Sequence, residues 1–309
     1  MKKLFPLYIV LFIITVSGLS PLFAQGADQD SIKDDSSDFS WVGHHKRHRH
    51  RFSNWNFEIP DIAKGKPFIE LGFGRADSKI NTLNENLHKN GLAQVKLGYR
   101  TQTPIDSCEK LLKYSNHFAE LSFLQDNIWK DNSTSDLKTE TLRFGFGWES
   151  GYGYDLGRSA LLLTNTFGVN WNRLRVMDPV SSMADYQKLA LYDDAYRFGI
   201  SHEANIRLQL IPELSVNASY EKNAVFQRVL FWKLSASVLT EAIADGLVNE
   251  FIKEVKDSSP FAAPILSFVL KSGVAYGFSE LRKEHMNVPF GGEDPLMLAT
   301  YKFGLTFNF

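Results

Sequence analysis

The chain has almost no cysteine. Cys108 is the single thiol in 309 residues, so no internal disulfide can staple the fold. No cysteine follows the apolar N-terminal stretch to accept a lipid anchor. Charge of one sign is also missing. The 34 Lys and Arg stand against 35 Asp and Glu, a net charge of −1, which leaves no overall basic surface for nucleic acid. Beyond the N-terminus there is no uninterrupted apolar run of about 18 residues, which argues against a bundle of membrane helices.

What is present starts at the N-terminus. Lys2 and Lys3 precede an apolar centre from Leu4 to Val16, and Leu22-Phe23-Ala24 offers a cleavage site before Gln25. Residues 1–24 therefore read as a cleaved secretory signal; the apolar core is short for a membrane anchor. Residues 25–66 carry no apolar periodicity and read as a disordered linker. It is acidic at first and then turns basic at HHKRHRHR, from His44 to Arg51. Three roles suit the basic run: a solvated tether, a contact with anionic lipid phosphates or another polyanion, or a metal site on His44, His45, His48 and His50, with the neighbouring Arg and Lys opposing a dication.

From residue 67 the pattern changes to period two, the signature of half-buried strands. Ile69, Leu71 and Phe73 alternate with Glu70, Gly72 and Gly74. Similar alternation recurs at 93–101, 119–123, 141–149, 161–172, 197–210 and 214–221. The last stretch, Leu296 to Phe309, sets Ala299, Tyr301, Phe303, Leu305, Phe307 and Phe309 against Thr300, Lys302, Gly304, Thr306 and Asn308. Each segment is about ten residues, enough to span a bilayer when tilted. Long polar connections at 76–91, 125–138 and 174–195 alternate with short ones at 150–158 and 211–213, as in membrane barrels. The connection at 102–115 is too long for this pattern.

The fold class expected is an all-β membrane barrel, antiparallel and up-and-down, with eight strands and a two-helix insertion before the last. The insertion covers about 227–285. Leu239, Ile243, Leu247, Phe251 and Val255 recur every four residues, with Glu241, Asp245, Asn249 and Lys253 opposite, which predicts an amphipathic helix. Ser259-Pro260 predicts the start of a second helix, running toward Arg282-Lys283. The expected place for this hairpin is the outer rim. The alternative reads 228–235 and 273–281 as strands and gives ten. Gly145, Gly147 and Gly151 sit inside a strand, so they fail the context of a phosphate-binding loop and read as small residues in a crowded interior.

Two sets of candidate residues follow. The polar parity carries Lys96, Arg100, Arg143, Arg197, Arg207 and Lys302 with Glu70, Glu120, Glu149, Glu203 and Glu221. In an eight-stranded barrel these fill the lumen and must pair. On the apolar parity Asn165 and His202 break the pattern, and a cover over them, from the insertion helices or another protomer, is expected.

The tail, with its terminal Phe309 and alternating Tyr301, Phe303, Leu305 and Phe307, resembles the closing strand of bacterial outer-membrane barrels. The signal, the strands and this tail together resemble the small barrels of the OmpA and OmpX type and the porin-like barrels common in Bacteroidetes. The resemblance implies an integral outer-membrane location, contact with outer-membrane lipids, and insertion by the barrel-assembly machinery, which reads the tail. It implies no cofactor and no activity. A structural or surface-interaction role with a plugged lumen is the leading expectation, and a small-solute channel the alternative. Enzymatic barrels such as lipid A deacylases, palmitoyl transferases and omptin proteases need a His beside a Ser or Asp at the outer rim. The histidines beyond the linker are His88, His117, His202 and His285; no nucleophile is evident beside His88, and a non-enzyme is expected.

Overall fold

A computed structural model describes residues 65–105, 108–128 and 136–309. The expected signal and nearly all of the linker, including His44, His45, His48, His50 and the run to Arg51, lie outside the described residues.

Among the described residues, eight strands carry the alternating pattern. They are β1 (Lys66–Lys79), β2 (Asn90–Ile105), β3 (Cys108–Gln125), β4 (Thr139–Asp155), β5 (Ala160–Val176), β6 (Tyr196–Ile211), β7 (Leu214–Val225) and β8 (Leu296–Asn308). Each pairs antiparallel with its neighbour in sequence, and β8 closes on β1. Closure leaves no strand edge unpaired, as a wall surrounded by hydrocarbon requires. The ten-strand alternative is overturned: 231–258 and 263–284 are helical.

The register steps down around the wall. Arg75, high on β1, pairs across to Tyr301, then Tyr220, Ala204, Asn165, Ser150, Ser115 and Thr101. Thr101 adjoins Arg100, which pairs with Lys66 at the foot of β1. This stagger is the shear that lets tilted strands close. It puts Asn165 about half-way down the wall.

The long connection expected at 102–115 is absent. β2 runs on to Ile105 and β3 starts at Cys108. Polar residues on the outward parity below Tyr99, such as Thr101, Thr103 and Lys113, hid the strand continuation. With this correction the barrel has one end with short connections, between Ile105 and Cys108 and at 156–159 and 212–213, and one long-loop end.

The long-loop end is sealed from within. Leu92, Leu124, Leu174, Leu296 and Leu298 turn inward from the strands and meet Leu87, Leu137, Leu189 and Tyr192 from the loops. A short helix, α1 (Met183–Leu189), supplies Leu189. Its Asp185 carboxylate accepts both Asn84 N–H and Glu85 N–H at 3.2 Å, tying this loop to the first one. Opposite, at the short-turn end, Leu112, Tyr114, Ala160 and Leu162 pack inside the barrel.

The outward parity is apolar and exposed: Phe73, Leu97, Leu121, Phe146, Trp148, Ile206 and Phe303 among others. So much exposed apolar surface on a closed barrel is a surface built for lipid.

The insertion forms two long helices, α2 (Phe231–Ser258) and α3 (Ala263–Glu284), joined by a 3-10 turn at Pro260–Ala262. They do not sit at the rim. α3 packs along the outside of β4, β5, β6 and β7. Near its start, Phe261 O accepts from the Tyr154 hydroxyl at 2.7 Å, close to the short turns. At its end, Lys283 O accepts from Asn81 Nδ2 at 3.0 Å, in the first long loop.

Candidate functional site: the lumen network and a polar seam on the wall

Between the two apolar seals the inward parity is charged. Lys96 lies 3.4 Å from Glu70 and 3.0 Å from Glu203. Arg207 reaches Glu70 at 2.8 Å and Glu149 at 3.3 Å. Arg143 reaches Glu120 at 3.2 Å and also bonds Glu221. Lys302 joins Glu203 at 2.9 Å and bonds Glu221 as well. Every member is almost fully buried. An ion in such a place is tolerated only when paired and hydrogen-bonded. Neutral groups complete the shell: Asn205 donates to Glu149 at 2.9 Å, Thr306 to Glu70 at 2.9 Å, and Gln94 to Glu120 at 2.8 Å. The Phe118 ring lies 4.7 Å from Lys96 Nζ, beside Gly147, where a Cβ would stand 2.3 Å from that ring. Gly147 thus leaves room for the Phe118 ring inside the barrel.

The network unites nine of the eleven lumen residues singled out in the sequence. Arg100 and Arg197 stand apart. Arg100 donates to Pro212 O and to Gln102 Oε1, both at 3.1 Å, by the short turns. Arg197 donates to Gln227 O at 2.8 Å, at the long-loop mouth. There it lines a cavity of about 540 Å³ with Lys188, Arg228, Glu293 and Asp294. The hydrophobic seal of Leu92, Leu174 and Leu298 closes the barrel at this end.

A second polar cluster lies outside, between wall and helices. Asn165 Nδ2 donates to Ser272 Oγ of α3 at 2.8 Å. His202 Nε2 lies 3.0 Å from Glu241 Oε1 of α2, and Arg282 of α3 donates to Glu241 Oε2 at 2.7 Å. Arg282 Nη1 is also 3.4 Å from His202 Nε2. Lys222 on β7, the register partner of His202, bonds Glu280 and sits 3.9 Å from the Tyr276 ring centre. The two helices are pinned to each other by Lys271 and Asp245 at 3.8 Å.

The chain is similar in fold to two crystal structures. One is Neisserial surface protein A (NspA), at 9% identity and a TM-score of 0.37, covering 79% of this chain and 97% of that one. The other is Ail, the attachment invasion locus protein of Yersinia pestis, at 7% identity and a TM-score of 0.30, covering 79% and 99%. At these values the likeness gives no residue correspondence. No family model and no curated protein matches the chain.

Sequence reasoning missed half of the seam. Lys222 shares the outward parity of Tyr220 and Ala218, and continuing strand seven by one residue would have exposed it. Glu241 and Asp245 stood out only as the polar side of a helix. The inverse holds for the tail: Tyr301, Phe303, Leu305, Phe307 and Phe309 all face out and are exposed. His88 lies 2.9 Å from Asp126, whose other oxygen is 3.5 Å from Lys138, a contact between two long loops. His117 faces outward between Tyr99 and Trp148. Among the described residues no cluster of three or more His, Cys, Asp or Glu has the arrangement of a metal site.

Proposed function

We propose that the chain is an integral outer-membrane protein with a closed lumen, acting through the surface it presents outside the cell and carrying no solute through its barrel. The short-turn end faces the periplasm and the long loops face outward, the usual disposition of such barrels. Export through residues 1–24 and insertion guided by the tail ending at Phe309 belong to the same reading.

The observation that carries it is the filling of the lumen in three layers. An apolar floor around Tyr114 and Leu162, a paired charge layer around Arg207 and Lys302, and an apolar cap around Leu174 and Tyr192 occupy the interior in turn. A conducting path needs continuous polar lining, and the cap interrupts it. What the protein offers outside is a set of tied loops and the mouth cavity, whose Lys188, Arg197 and Arg228 beside Glu293 and Asp294 suit a polar partner. The proposal includes no catalysis; His88 pairs with Asp126 between two loops, and Asp126 in turn pairs with Lys138.

Reconstitution of the mature chain in planar bilayers tests this. The expected record is a flat baseline across the voltage range. Discrete, reproducible conductance steps that depend on the protein would replace this reading with the channel.

A further inference from the structure

We infer that α2 and α3 cross the outer membrane as a helical hairpin beside the barrel, with lipid acyl chains covering their outward face. This rests on the membrane reading above and goes beyond it, because that reading needs the strands alone to cross.

Length agrees first. From Lys233 to Phe251, α2 rises about 27 Å, close to the roughly 25 Å apolar band of such barrels. α3 has 22 residues and rises about 33 Å. By length and composition its stretch from Pro260 to Glu284 is apolar enough to cross a membrane. α3 also follows the wall over this distance, from Tyr154 by the short turns to Asn81 in the first long loop.

Polarity agrees second, and it is reversed from that of a soluble hairpin. The faces turned inward carry Glu241, Arg282, Ser237 and Ser279, all buried. Those turned outward carry Leu239, Ile243 and Leu247 on α2, and Ile265 and Val269 on α3, each more than half exposed or close to it. In water this arrangement would be costly; in hydrocarbon it is the stable one. The outward apolar stripe of α2 stops where a membrane boundary requires. Beyond Phe251, itself half exposed, the exposed positions become Lys253, Glu254 and Asp257, followed by Ser258 and Ser259. At the other end Trp232 stacks edge-on against Phe290 at 5.3 Å and Lys233 donates to Gly291 O, an aromatic and cationic collar of interfacial type.

The seam explains why the hairpin stays on the wall. Asn165, His202 and Lys222 would be polar groups bare to lipid without it, and Ser272, Glu241 and Glu280 answer them one for one.

The test uses the full mature chain in lipid vesicles, with Cys108→Ser and one new cysteine at a time bearing a fluorophore. The positions are Ile243, Leu247, Val269, Glu254 and, as a control on the barrel wall, Phe303. Fluorescence is quenched either by acyl-chain-brominated phospholipid or by aqueous iodide. The expected result is at least threefold stronger quenching by brominated lipid than by iodide at 243, 247, 269 and 303, reversed at 254. Loss of lipid quenching at 303 would overturn the membrane reading itself. Lipid quenching at 303 with iodide quenching at 243, 247 and 269 would overturn the hairpin alone. Shielding from both quenchers at 243 and 247, with a cross-linked dimer, would put a second copy where lipid is proposed and so also overturn it.

Discussion

Arg207 touches two carboxylates and is almost wholly buried. Replacing it with Met keeps the bulk against the Tyr114 ring, 5.7 Å away, but strips Glu70 and Glu149 of a cation each. Removing one partner of a buried pair leaves the other ion uncompensated, a loss of about 3–5 kcal/mol. Urea titration of Arg207→Met, refolded in detergent, should show that loss, and Arg207→Met/Glu149→Gln should recover part of it. A loss under about 1 kcal/mol would mean the layer is wetter than the packing implies. A gentler case is Asp194 in the third long loop. Its carboxylate accepts from Arg173 Nε at 2.8 Å, and that bond holds its pKa below the ordinary carboxylate range. Because the folded value is depressed, the contribution is present above the unfolded pKa of about 3.9. It is lost as pH falls through the folded value. Pepsin nicking of this loop should therefore be slow at pH 5 and quicken below about pH 3.9. Asp194→Asn should remove that step. The exposed site makes the effect small.

At the scale of elements, the strands were legible and the environment of the helices was not. Period-two alternation marks a strand without reference to what surrounds it, so β6 could be read from Phe198, Ile200, Ile206 and Leu208. An apolar stripe on a helix is different. Leu239, Ile243, Leu247 and Phe251 predict α2, but the stripe points inward in water and outward in lipid, and sequence alone does not say which. The search for long apolar runs also passed over α3, since Lys271 and its small residues interrupt the run. Asn165 and His202 were the clue within reach, because a polar residue on a lipid-facing parity needs a cover. α1 left too short a pattern to read, with seven residues and only the Ser182 cap to mark it. The docking of α3 predicts that cysteines at 165 and 272, in a Cys108→Ser background, will be joined by a short bifunctional reagent in the folded protein. Asn165 Nδ2 and Ser272 Oγ are only 2.8 Å apart. Cross-linking should vanish on unfolding. Its absence from the folded chain would mean that the seam does not form.

For the molecule as a whole, closure ties the two ends of the described chain together. β8 lies between β1 and β7, with Phe303 level with Phe73 on one side and Ala218 on the other. Phe309 N–H donates to Pro67 O at 3.0 Å, while the Phe309 ring is left exposed. The backbone of the last residue therefore belongs to the closed barrel, and its side chain makes little packing of its own. Those two roles can be separated. Phe309→Ala keeps the backbone bond and removes only an outward ring, so refolding of the purified chain into lipid should be close to normal, with stability changed by about 1 kcal/mol or less. If the ring is instead a tag for assembly, the same substitution should reduce the folded protein recovered from outer membranes several-fold. Heat-dependent gel mobility measures the folded fraction in both settings. A large defect in cells with none in the test tube assigns the ring to recognition. Equal defects in both would return it to stability, and the tail would then act only as the strand that shuts the barrel.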